Sequence, residues 1–133
     1  MALHFELVSP ERLLYSGDVA EVDIPGAEGD MGILPGHAPV LSTLRPGVVT
    51  VTKEGGAKER IFVRGGFADV SLAGLTILAE QAIPLAEVDA DWLAQEVKNA
   101  GEDVADARDG ATRDAAELRL QQLKEVQSAV LRG

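Results

Sequence analysis

The sequence predicts an α+β protein that is mainly β: a β-sandwich or barrel over residues 1–87, followed by two helices over residues 88–133. Three observations predict it. All six prolines and eleven of the fourteen glycines precede residue 87, and such punctuation marks short strands joined by turns. The same region alternates apolar and polar residues with period two, which buries one face of a strand and wets the other. The remainder has no proline, is rich in helix formers, and repeats apolar residues at spacings of three and four.

The strands follow in order. Leu3, Phe5 and Leu7 alternate with His4 and Glu6, which places His4 on the wet face of the first strand. Ser16-Gly17-Asp18 reads as a turn, and Val19–Ile24 as the strand after it. Val48–Thr52 meets the hairpin turn Lys53-Glu54-Gly55-Gly56 and returns as Arg60–Arg64. Gly65-Gly66 breaks that run before Phe67–Val70, and Leu75–Ala79 is the last strand. Strands at this spacing suit a sandwich or barrel. No helical pattern interrupts them, so a parallel βαβ sheet is excluded.

The first helix carries Leu93, Val97, Ala100, Val104 and Ala107 on one seam; the second carries Ala116, Leu120, Leu123, Val126 and Val130. Asp89 or Asp91 caps the first. Asp109-Gly110-Ala111-Thr112 is the turn between them, with Thr112 as the predicted N-cap of the second. Gly101 weakens the first helix by ~1 kcal/mol relative to Ala. A whole buried Val or Leu contributes roughly 1.5–3 kcal/mol, against about 1–2 kcal/mol of backbone entropy per ordered residue. So thin a seam predicts a marginal hairpin, able to exchange between packed positions.

Composition removes several function classes. The chain of 133 residues has no cysteine, so it holds neither disulfides nor thiolate metal sites. Its 22 acidic and 12 basic residues give a net charge of −10. That balance opposes binding to nucleic acid or to anionic lipid. The N-terminus is not a signal peptide, and no run is long and apolar enough to span a bilayer. The expected setting is soluble and cytoplasmic, without direct lipid insertion; membrane attachment would have to come through another subunit.

Groups for catalysis are few. His4 and His37 are the only histidines, and no G-x-S-x-G elbow accompanies them. Gly26-Ala27-Glu28-Gly29-Asp30-Met31-Gly32 lacks the lysine of a phosphate-binding loop. Glu28 and Asp30 lack the spacing of an EF-hand and read as solvated turn residues. The segment from Gly29 to Gly47 reads instead as a stiff ribbon. Pro35, Pro39 and Pro46 fix backbone angles, while Gly36 and Gly47 permit reversals. A rigid surface loop that presents Asp30 and His37 is a recognition feature.

That ribbon, G-x-x-G-I-L-P-G-H-A-P-x-L-x-x-L-x-P-G, resembles the signature of the epsilon subunit family of bacterial F-type ATP synthases. Arg64-Gly65-Gly66-Phe67-Ala68-Asp69-Val70 is similar to the family's G-G-F-x-x-V segment, and Leu75–Ala82 to its last strand. The resemblance covers essentially the whole chain. It implies a flattened ten-stranded sandwich followed by an antiparallel helical hairpin. It also implies a non-catalytic rotor part, peripheral on the cytoplasmic face of the bacterial inner membrane. The sandwich would bind the gamma subunit and rest on the c-subunit ring through Asp30 and His37, transmitting rotation to the alpha/beta catalytic head.

In such proteins the hairpin can also rise and block hydrolysis, its basic residues meeting the beta subunit. Arg108, Arg113, Arg119 and Lys124 are the candidates here. The other reading is that they solubilise the hairpin and pair locally, as Asp109 with Arg113. Ten acids against six bases in this segment favour the second reading. Some relatives bind ATP through [IV]-D-x-x-R-A; here Val88-Asp89-Ala90-Asp91-Trp92-Leu93 puts Trp92 in place of the arginine. No cofactor is therefore expected, and Trp92 reads as a hairpin anchor. Two other classes compete: a free-standing sandwich binding a small ligand or carbohydrate, with a dimerising hairpin, and an enzyme acting through His37 and Asp30.

Overall fold

Alternation sets the sheet. In the computed structural model, which describes residues 2–132 apart from the side chains at 129, 131 and 132, β1 (Leu3–Val8) buries Leu3, Phe5 and Leu7 and leaves His4 exposed. The other strands are β2 (Leu13–Val19), β3 (Glu21–Gly26), β4 (Gly29–Ile33), β5 (Val40–Leu44) and β6 (Gly47–Thr52). They continue with β7 (Lys58–Val63), β8 (Gly66–Ser71), β9 (Gly74–Ala79) and β10 (Ala82–Pro84). The ladder runs β10-β7-β6-β3-β5-β8-β9-β1-β2, with β4 paired to β3. Every pairing is antiparallel except β1 with β9.

The ladder forms a ten-stranded sandwich whose inner faces share one core. Phe5, Leu7, Val22, Val49, Val51, Val63 and Ile77 there have no exposed surface. Each such side chain contributes roughly 1.5–3 kcal/mol by leaving water. Strands at this position in the chain thus have their own core, in a unit spanning Met1–Leu85.

Three local expectations are corrected. Ser16-Gly17-Asp18 is not a turn but the middle of β2, where Gly17 lies opposite Phe5; pairing with β1 overrides the turn composition. The reversal before it is Ser9–Arg12, closed by the Ser9 amide donating to the Arg12 carbonyl at 2.9 Å. Residues 29–47 are not one ribbon. β4 and β5 occupy most of it, and β4 forms a hairpin with β3 around Ala27-Glu28. Leu75–Ala79 is not the last strand, since Ala82–Pro84 pairs with β7. Phe67, in β8, is 53% exposed.

The second unit, Ala86–Gly133, holds α1 (Ala90–Asp106) and α2 (Gly110–Arg132), which pack on each other. Leu93, Ala100, Leu123 and Val126 are the buried members of the two seams. Asp89 caps α1, its Oδ1 accepting the Asp91 amide at 2.8 Å. The cap of α2 is Asp109 rather than Thr112. Its Oδ1 accepts the Thr112 amide at 2.8 Å and its Oδ2 accepts the Thr112 hydroxyl at 2.9 Å. A carboxylate satisfies an orphan amide and suits the positive end of the helix, so α2 begins at Gly110.

Candidate functional site

The parity that fills the core also decides what faces outward. In β8, Ala68 and Val70 point inward, so Phe67 and Asp69 point outward. In β9, Leu75, Ile77 and Ala79 point inward, so Leu78 points outward. Register then aligns neighbours into rows, whose side chains are the contact units of a sheet. Phe67 pairs with Thr43 and Leu78, Leu78 with Val8, and Val8 with Leu13. The result is an outward apolar row, Leu13–Val8–Leu78–Phe67, across four strands. Leu13, Leu78 and Phe67 are each more than half exposed, and Leu41, two residues from Thr43 on the same face, is exposed as well. A contiguous exposed apolar surface marks a contact with another macromolecule.

The neighbouring row on that face is polar except at its Leu41 end: Leu41 pairs with Asp69, Asp69 with Thr76, Thr76 with Glu6, and Glu6 with Ser16. Beyond it lies His4, whose Nδ1 is 3.2 Å from Asp18 Oδ1 and whose Nε2 is 3.4 Å from Glu6 Oε1. The two carboxylates, Asp18 foremost, raise its pKa above 6.5.

Asp30 and His37 sit on separate devices. Asp30 lies in β4 opposite Pro25, on the β3–β4 hairpin. Its carboxylate is 78% exposed, and its Oδ1 accepts from the Arg45 guanidinium at 2.6 Å. His37 ends the turn Leu34-Pro35-Gly36-His37, closed by its amide donating to the Leu34 carbonyl at 3.1 Å. Proline at the second position and Gly36 at φ +82° make this a type II turn. His37 Nδ1 lies 2.7 Å from the Ala38 carbonyl. A carbonyl only accepts, so Nδ1 carries the proton there. No hydrogen bond or ion pair joins Asp30 to His37 among the described residues. A cleft of about 550 Å³ lies beside Asp30, between the β3–β4 hairpin and β5, with Met31, Val40 and Leu41 on its walls.

In the second unit Arg108, Arg113, Arg119 and Lys124 are all exposed. Arg113 pairs with Glu117 at 3.3 Å, not with Asp109, whose oxygens are taken by Thr112. At 3.6 residues per turn, Arg113 and Lys124 fall on one side of α2, and Arg119 about 120° away. The structure does not gather the four cations into one cluster. At the start of α1, Asp89 accepts the Asp91 and Trp92 amides, Trp92 is half-buried and Leu93 has no exposed surface. Among the described residues no group of three or more His, Asp or Glu side chains is placed to hold a metal ion.

The apolar row was missed by sequence reasoning, although its signal was present. Phe67 shares parity with Asp69, and Leu78 with Thr76, each opposite to the inward residues of its strand. Arg45 left no such signal, because its partner is fifteen residues away.

Comparison with known proteins accounts for this arrangement. Residues 2–85 match the family described as ATP synthase, Delta/Epsilon chain, beta-sandwich domain. The chain is 58% identical to the ATP synthase epsilon chain of Parvibaculum lavamentivorans over 128 residues, covering 96% of this chain and 97% of that one. It is 54% identical to the ATP synthase epsilon chain of Maricaulis maris over 114 residues, covering 86% and 85%. Among solved structures it resembles a chain in the Euglena gracilis mitochondrial ATP synthase assembly of OSCP, F1 and c-ring. That match has a TM-score of 0.82 and 30% identity, over 97% of this chain and 81% of that one. With a full-length match in sequence and a sandwich-plus-hairpin match in fold, the chain belongs to the ATP synthase epsilon chain family.

Proposed function

We propose that this chain is a non-catalytic central-stalk subunit that couples rotation of a c-subunit ring to the alpha/beta catalytic head. The observation that carries the proposal is the outward row Leu13–Val8–Leu78–Phe67. A row of this kind has to be covered in the working assembly, and the gamma subunit of the stalk is the partner assigned to it. Asp30 and His37 are assigned to the c-ring contact. Both lie between Gly29 and Val40, one on a hairpin strand and one on a proline-stiffened turn, so each is presented on backbone that resists bending.

The sandwich, residues 1–87, makes the rotor contacts in this reading, and residues 88–133 regulate. Arg108, Arg113, Arg119 and Lys124 would touch the beta subunit only weakly, because Arg108 lies in the turn before α2, the other three are spread around α2, and Arg113 is already paired. ATP binding is not assigned to the hairpin, because Trp92 replaces the cation that would meet a phosphate. No helix among the described residues is long and apolar enough to cross a membrane. In this reading the chain is held at the cytoplasmic face of the bacterial inner membrane by its partners.

The test is capture of the gamma–c-ring rotor by the full chain, with and without Phe67→Asp. An exposed site tolerates that change within about 1 kcal/mol of folding stability. A buried interface residue does not, and truncating such an anchor costs upwards of ~2 kcal/mol of binding. Rotor affinity is expected to fall at least tenfold while the melting temperature holds. Capture by the variant at wild-type affinity would remove the apolar row from the interface.

A further inference from the structure

We infer that Arg45 is the positioning residue for the Asp30 carboxylate, an inference that rests on the assignment of Asp30 to the ring contact. Arg45 sits between β5 and β6, and its side chain is 22% exposed where that of Asp30 is 78% exposed. One guanidinium nitrogen donates to the Gly26 carbonyl at 2.7 Å, and the other donates to Asp30 Oδ1 at 2.6 Å. Its own amide donates to the Pro25 carbonyl at 3.0 Å. Arg45 thus holds the base of the β3–β4 hairpin twice and the carboxylate on that hairpin once.

The surroundings explain why such a clamp is needed. β4 pairs with β3 alone, so the strand bearing Asp30 is supported on one edge only. Gly26↔Gly29 closes a two-residue turn, which makes that pair hydrogen-bonded and Pro25↔Asp30 the non-bonded pair next to it. The Asp30 main chain therefore receives no ladder bond from β3, and the guanidinium is what fixes the residue. A planar fork serves two acceptors at once in fixed geometry. With Oδ1 engaged, Oδ2 of the exposed carboxylate remains to accept from the partner. The complementary group on the ring is accordingly a hydrogen-bond donor.

A double-mutant cycle on the full chain tests this, read as affinity for the gamma–c-ring rotor. Asp30→Asn is expected to weaken binding about tenfold, and Arg45→Met by a similar factor. The double variant is expected to lose about tenfold as well, not the roughly hundredfold of independent sites. Arg45→Gln, which keeps donors but not the charged fork, should fall between wild type and Arg45→Met. It replaces Arg45→Met in the cycle if that variant does not fold.

Two failures are distinguishable. If Asp30→Asn binds as wild type does, the ring contact itself is wrong and the role of Arg45 falls with it. If Asp30→Asn weakens binding but the two effects multiply in full, the ring contact stands and the positioning role is overturned.

Discussion

Gly66 lies so close to the backbone of Leu78 that a Cβ at position 66 would run into the Leu78 carbonyl oxygen. The same glycine has φ +126°, a conformation L-residues rarely adopt. It also pairs with both Leu44 and Ala79, joining β8 to its two neighbours. Gly66→Ala is therefore expected to lower stability by about 3 kcal/mol or more. Urea unfolding of the two proteins measures it, and a loss under 1 kcal/mol would show that the strands can part at this point without harm.

His4 should make stability depend on pH. Hydrogen bonds to Asp18 and Glu6 raise its folded pKa above 6.5. A raised value means the folded state binds the proton more tightly than the unfolded one. The contribution is full below pH 6.5 and is lost as pH rises through the folded value. The melting temperature of the wild type, relative to His4→Gln, should thus fall as pH rises above 6.5. Parallel curves for the two proteins would assign the pH dependence elsewhere.

Asp109 acts in the opposite sense. The Thr112 amide, and then its hydroxyl, hold the carboxyl below its ordinary 3.8. Its contribution to capping α2 is present above pH 3.8 and lost as pH falls through the lower folded value. Helical ellipticity of the wild type should decline on acidification in that range, with a smaller decline in Asp109→Ala, which starts lower. Equal helicity of the two at pH 7 would mean the cap contributes nothing.

These two residues also show what the sequence could and could not disclose. The inward faces of β1 and β6 were legible because period two with Val, Leu and Phe admits one burial pattern, whereas in β7 Ile61, Phe62 and Val63 are all buried in succession, which alternation does not predict. The wet position of His4 followed from the same parity. The caps were only half legible. Asp89 and Asp91 are both candidates for α1, and the sequence points to Thr112 for α2 while Asp109 reads as a turn residue, since any of these side chains can accept an amide. β2 and β4 were obscured because Gly17, Gly29 and Gly32 carry turn composition, while the partners that hold them extended are distant in sequence or, for β4, across the hairpin. Arg45 and Asp30 meet only after β3, β4 and β5 have assembled, so no local pattern announces them.

Gly101 offers a test of the hairpin's predicted marginality. It stands inside α1, and a Cβ there would meet no atom within 4 Å. Gly101→Ala adds helix propensity without a clash and should stabilise α1 by about 0.5–1 kcal/mol. Amide hydrogen exchange along α1 reads the gain as slower opening, by roughly three- to fivefold. Unchanged exchange would mean that opening of α1 does not limit the hairpin.

Removal of the hairpin altogether tests its regulatory weight. Truncation after Glu87 leaves all ten strands and their common core, so the sandwich keeps its fold and its proposed rotor contacts. Proton-coupled ATP synthesis by the assembled complex should persist. Any rise in ATP hydrolysis should stay below about tenfold, which corresponds to 1.4 kcal/mol on the barrier. The limit follows from the arrangement of charge: Arg113 is paired with Glu117, Arg119 lies about 120° around α2 from Arg113, and acids outnumber bases in this segment. Cations so dispersed do not grip one acidic surface together. A release of hydrolysis by a hundredfold or more would show that they do, through a hairpin conformation in which Arg113 has left Glu117.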